Sequence, residues 1–73
     1  RQRVVAQLRA WCEARGHWIS QAGEVRTAVA AEILGIGQQW LRQQACYFEL
    51  IPSRRVGRHR LWRLDDLAQR LDV

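Results

Sequence analysis

A mainly α-helical fold closed by one small β-hairpin is what this sequence predicts, and three observations predict it. Apolar residues recur at helical spacing within 3–15, 27–34 and 38–48, and Gly35-Ile36-Gly37 separates the last two stretches. Residues 54–64 alternate like two short strands around Gly57-Arg58. The chain has only 73 residues, 48% of them hydrophobic, so all elements must share one small core.

The first helix spans residues 3–15. Val4, Leu8, Trp11, Cys12 and Arg15 fall on one stripe with Val5 beside it, while Gln2, Arg9 and Glu13 lie opposite. Gly16 stands where a left-handed cap ends such a helix. His17-Trp18-Ile19 then reads as a short extended segment before the polar turn Ser20-Gln21-Ala22-Gly23. The second helix starts near Thr27, whose hydroxyl is suited to cap it, and runs to Leu34. Its alanines Ala28, Ala30 and Ala31 allow another helix to approach closely. The glycines flanking Ile36 reverse the backbone and turn Ile36 inward.

A third helix follows from Gln38 to Tyr47 or Phe48, with Leu41, Ala45 and Phe48 inward and Trp40 on its shoulder. Gln38, Gln39, Arg42 and Gln43 face outward. Pro52 ends helical tendency and pushes Ile51 toward extended geometry. On the return strand of the hairpin, Arg60, Trp62 and Leu64 share one face, assigned to the core, and His59, Leu61 and Arg63 share the other. Asp65 is the expected N-cap of a last helix, Asp66 favours its dipole, and Leu64, Leu67, Ala68 and Leu71 form its buried stripe.

The charge is concentrated. All twelve basic residues are arginine, against seven acids, for a net +5. Residues 54–63 hold five of them (Arg54, Arg55, Arg58, Arg60, Arg63) with His59 and no acid. Residues 1–53 carry six Arg and four acids, and residues 64–73 one Arg and three acids. Arginine grips phosphate or a guanine edge with two bonds, which lysine cannot copy, although GC-rich coding alone also enriches it. Interleaved with Val56, Leu61 and Trp62, the cluster reads as a structured basic surface aimed at an anion rather than a solvated charge run.

Helix, glycine turn and helix followed by a basic hairpin make a winged helix-turn-helix. On this reading residues 1–73 form one domain: helix and connector 1–23, helix-turn-helix 24–50, wing 51–64 and C-terminal helix 65–73. The second helix of such a motif lies in the major groove, where glutamine pairs with adenine and arginine with guanine. The expected DNA-binding residues are Gln38, Gln39, Arg42 and Gln43 on the helix, and Arg54, Arg55, Arg58, His59 and Arg60 on the wing, which suits phosphate or minor-groove contact.

Glu24 to Leu71 resembles the excisionase-type DNA-binding domains, relatives of the MerR-type winged helix. Val25 stands at that family's leading aliphatic position. Ala31-Glu32-Ile33-Leu34-Gly35-Ile36-Gly37 matches its A-x-x-L-G-(V/I)-S turn, and Leu41 the aliphatic residue within the recognition helix. Ile51-Pro52 and Val56-Gly57-Arg58 match the entry to the wing, and Trp62, Asp65-Asp66-Leu67 and Leu71 the closing strand and helix. Three positions depart from the pattern. Gly37 replaces a Ser or Thr cap, Trp40 a small hydroxyl residue, and Cys46-Tyr47-Phe48-Glu49 lacks the glycine before the wing.

The resemblance implies sequence-specific binding of double-stranded DNA, with self-association on it, by an excisionase-like recombination directionality factor or transcriptional regulator. The alternatives are a phage DNA-packaging or replication domain, and a winged helix whose basic face meets an acidic protein. MerR-type regulators dimerise through a long C-terminal helix, which this chain lacks before Val73. The setting expected is bacterial, phage or plasmid, and cytoplasmic, because two cysteines do not make a secreted disulfide framework. Without methionine and starting at Arg1, the chain is expected to be an excised domain or one whose ends were left out.

Other chemistries are weakly signalled. Cys12, His17, Cys46 and His59 lack the close pairs of a zinc site, so no metal is expected. A Cys12–Cys46 disulfide requires the fold to juxtapose them. Ser20, Ser53 and the cysteines have no recognisable base and orienting acid, and Gly35-x-Gly37 is a turn rather than a phosphate loop, so no enzyme, cofactor or small-molecule substrate is expected. No apolar run approaches the ~18 residues of a membrane span. Trp11 and Trp62 are core candidates. Trp18 and Trp40 are candidates for partner contact, and aromatic residues among arginines also suit single strands or RNA.

Overall fold

Glycines and apolar stripes divide the chain much as its sequence suggests. The computed structural model describes residues 2–43 and 51–71. Helix α1 (Gln2–Ala14) leads through a connector to strand β1 (Glu24–Arg26), which runs directly into helix α2 (Thr27–Leu34). A glycine turn joins α2 to helix α3 (Gln38–Gln43). Strands β2 (Arg54–Val56) and β3 (His59–Arg63) form a hairpin, and helix α4 (Leu64–Leu71) follows at once. The result is a small, mostly helical domain with a three-stranded antiparallel sheet in the order β1-β3-β2. The expected third-helix end at Tyr47 or Phe48, inward Ala45 and Phe48, the Cys46–Glu49 exit and the Cys12–Cys46 pairing lie outside the described residues.

One core is shared by every helix. Cys12, Val25, Leu41, Trp62, Leu64 and Leu67 are fully buried, with Ala30 and Ala31 allowing close packing of α2. Helix α1 packs against α4 and lays Val5, Leu8 and Trp11 on this core. Arg15, placed on this stripe by its spacing, instead lies exposed just past the end of α1, with its guanidinium 4.2 Å from the Trp11 ring centre. Gly16, at φ 71°, ends the helix as expected, and the His17 N–H bonds the Cys12 carbonyl at 2.9 Å. Leu8 is only half-buried, so Leu8→Ala should cost about 2 kcal/mol, the low end for such truncations, in urea denaturation. A dimer split by this substitution into folded monomers would instead make α1 an interface.

Five local expectations are corrected. Residues 17–19 form no strand; the strand lies at Glu24–Arg26, where β3 offers an edge to pair with. Thr27 does not cap α2. Arg26 occupies the cap position with no side-chain bond, while the Thr27 hydroxyl accepts the Trp62 indole N–H at 3.0 Å and lies 3.5 Å from the Arg60 carbonyl. Leu64 begins α4 instead of ending the hairpin, so Asp65 and Asp66 both lie in the first turn, where carboxylates suit the helix dipole. Leu71 is 44% exposed rather than buried. On β3 the Trp62 face does meet the core, but Leu61 on the other face is buried too. The register sets Arg54 opposite Leu61, and a bridge from Arg54 to Glu24 covers it. No helix among the described residues is long and apolar enough to cross a membrane.

Candidate nucleic-acid interface

The hairpin turns on Gly57, whose φ of 61° is left-handed and so suits glycine, and Arg58 sits beside it at the tip. The register pairs Arg55 with Arg60 and Val56 with His59. Two arginines directly opposite each other repel, so their pairing opposes hairpin formation unless an anion is near. Each is steered by one neutral acceptor: Arg60 Nη1 donates to Ser53 Oγ at 2.9 Å, and Arg55 Nε to the Gly57 carbonyl at 3.3 Å.

Across from the hairpin, the helix pair is set by its glycine turn. Gly35 takes φ 70° at the end of α2, and the Ile36 N–H bonds the Ala31 carbonyl at 3.0 Å. Half-buried Ile36 packs on the core. Gly37 serves as a bare cap for α3, its carbonyl accepting the Leu41 N–H at 3.0 Å. Fully buried Leu41 then fixes the roll of α3. Gln38 and Arg42, four residues apart, are left on one side.

These pieces converge. Gln38 and Arg42 from α3, Arg55, Arg58, His59 and Arg60 from the hairpin, and Arg26, Thr27 and Ala28 at the start of α2 line an open cleft of about 470 Å³. Five arginines face it, and no carboxylate is among the described residues lining it. No family model, curated protein or solved structure matches this chain. The cleft must be interpreted from its own chemistry. Clustered guanidiniums at a concave surface raise the local potential and draw in polyanions.

Six of the nine residues expected from the sequence therefore meet in one place: Gln38, Arg42, Arg55, Arg58, His59 and Arg60. Gln39 is exposed and Gln43 half-buried, and neither lines the cleft. Arg54 is diverted. Its Nε and Nη2 donate to both carboxylate oxygens of Glu24, at 2.5 and 2.8 Å, on the opposite side of the sheet from Trp62. Arg26 is not marked as a site residue by the sequence, because its position depends on β1, whose three residues are too few to show alternation.

Glu24 is 2% exposed, an unusual place for a carboxylate, and is fully partnered. Besides Arg54, the Ser20 hydroxyl donates to it at 3.2 Å. The Arg54 hydrogen bonds chiefly hold the Glu24 carboxyl below its ordinary 4.5, against burial, which would raise it. The same pairing raises Arg54. A lowered carboxyl stabilises the fold fully above its unfolded value and less as pH falls through the folded one. The stability difference between wild type and Glu24→Gln should therefore be greatest above pH 4.5 and shrink on further acidification. Denaturant midpoints measured across that range check this, and a difference independent of pH would refute it.

Elsewhere the titratable groups are scattered. Burial first, then Glu32, pushes the Cys12 thiol up, away from the thiolate a nucleophile needs. The His17 ring lies 5.5 Å from that of Trp11, tilted by 42°, with its Nε2 3.6 Å from Glu32. Among the described residues no three His, Cys, Asp or Glu side chains cluster to hold a metal ion.

Proposed function

We propose that this chain is a winged helix-turn-helix that binds double-stranded DNA, with α2, the glycine turn and α3 as the helix-turn-helix and the β2–β3 hairpin as the wing. The observation that carries this function is the convergence of Arg26, Arg42, Arg55, Arg58 and Arg60 on one cleft between helix and hairpin, with no carboxylate among its described lining residues. Gln38 and Arg42 are the base-reading candidates, since their side chains make two-bond contacts with adenine and guanine edges. The hairpin arginines and Arg26 are the phosphate grips. Arg54 and its Glu24 partner belong to the scaffold. The excisionase-like and MerR-like resemblance of residues 24–71 supports a role in recombination or transcriptional control, in the cytoplasm of a bacterium or on a phage or plasmid.

Salt dependence tests the proposal directly. Four phosphate contacts at roughly 0.9 released counterions each give a log–log slope of about −4 against a mixed-sequence duplex. A slope near zero overturns duplex binding. Tight binding to an acidic protein, with duplex DNA showing no such slope, would move the cleft to the protein–protein alternative.

A further inference from the structure

The N-terminal connector places a large aromatic residue beside the cleft. Trp18 is 50% exposed, although it lies in a segment that forms neither helix nor strand. The Arg26 guanidinium lies over its ring, 5.2 Å from the centre. That same arginine lines the cleft with Arg42, Arg55, Arg58 and Arg60. A guanidinium that shares an open cleft with four others is repelled by them and gains by swinging into water. Something must hold it in place, and the indole face does so through its ring quadrupole.

Arg54 and Arg26 show two ways to hold an arginine at this sheet. Arg54 is fixed by a carboxylate, which neutralises it and takes its donors in pairs. Arg26 is fixed by a neutral ring, and no carboxylate among the described residues pairs with it. A ring takes up none of the donors that a carboxylate would, and no side-chain hydrogen bond of Arg26 occurs among the described residues, so its N–H fork, the part that clasps a phosphate, is available. From this contrast we infer that Trp18 positions Arg26 as a phosphate contact, so that the connector before the helix-turn-helix extends the DNA interface. This rests on the duplex-binding function proposed above. Trp18 acts through Arg26, as a positioning residue.

The test is a double-mutant cycle on the full chain, with binding to a short mixed-sequence duplex measured by anisotropy over a range of salt. Arg26→Ala should make the log–log slope shallower by about one unit. Trp18→Ala should weaken binding about three-fold, the scale of an exposed cation–π contact. Trp18→Phe should restore most of that loss. In the Arg26→Ala background, Trp18→Ala should have no further effect. Trp18 is half in solvent, so these variants should keep the wild-type thermal midpoint, and a fall in it would assign Trp18 to the scaffold and overturn the inference. So would an undiminished Trp18→Ala effect without Arg26, or an unchanged slope in Arg26→Ala. Wild type lacking any slope would defeat duplex binding itself. A steep wild-type slope with both alanine variants behaving like wild type defeats this inference alone.

Discussion

Trp62→Ala should be the most damaging single substitution, at about 3–5 kcal/mol, the usual cost of removing a large buried aromatic. Trp62 is the largest fully buried side chain, and it sits on the central strand of the sheet, facing the shared core. In a domain this small such a loss approaches the whole of the available stability. Urea denaturation followed by far-ultraviolet circular dichroism measures it. Trp62→Phe separates packing from polarity, because it keeps an aromatic ring but removes the indole N–H that reaches Thr27 at 3.0 Å. Leaving that buried hydroxyl without its donor should add about 1–3 kcal/mol to whatever the smaller ring costs. Thr27→Val in the Trp62→Phe background should then recover part of the loss. No recovery would mean that the hydrogen bond contributes little and that α2 is held to β3 by packing alone.

Arg42→Ala and Arg58→Ala should divide DNA binding into reading and gripping. Arg42 lies on α3, four residues from Gln38, on the side turned to the cleft. Arg58 lies in the exposed hairpin turn, next to Gly57. If α3 enters the major groove, Arg42→Ala should cost about 1–3 kcal/mol on the preferred site and relax preference at one base position. Arg58→Ala should weaken preferred and random duplexes by similar factors and flatten the salt slope by about one unit. A library of single-base changes, assayed for both variants at two salt concentrations, decides between them. Uniform loss with Arg42→Ala and an altered base preference with Arg58→Ala would reverse the roles, making the hairpin the reader and the helix the anchor.

How far the sequence discloses this arrangement depends on how far apart its causes lie along the chain. The helices at Gln2–Ala14, Thr27–Leu34 and Leu64–Leu71 are legible because each has its own stripe and a boundary signal, Gly16 and Gly35 at the ends of the first two and Asp65-Asp66 at the start of the last. The hairpin is legible because Gly57 marks its turn and alternating residues flank it. Strand β1 is not, since three residues form it only by pairing with a strand far along the chain, as Val25 does with Trp62, 37 positions later. Thr27 shows the same limit. Its place before an alanine-rich helix is that of a cap, yet its hydroxyl is taken by a tryptophan distant in sequence. In the candidate site, Arg55, Arg58 and Arg60 stand out as a local cluster. Arg54 belongs to that cluster by composition but not by geometry, because strand alternation puts it on the face opposite Arg55, where the buried Glu24 takes its donors. Arg26 is the converse, isolated in sequence and central in space.

The sheet has a further consequence, for aggregation. A three-stranded sheet in the order β1-β3-β2 has two rims, and an open rim invites another chain to add a strand. At β1, both main-chain groups of Glu24 are already bonded within the chain: its N–H donates to Ser20 Oγ at 3.0 Å, and its carbonyl accepts the Ser20 N–H at 2.9 Å. At β2 the rim is only three residues long and begins with two arginines, so identical copies repel there. Neither rim is a template for cross-strand polymerisation. Copies crowded along an anion would then meet at these described rims through side chains rather than through shared backbone ladders.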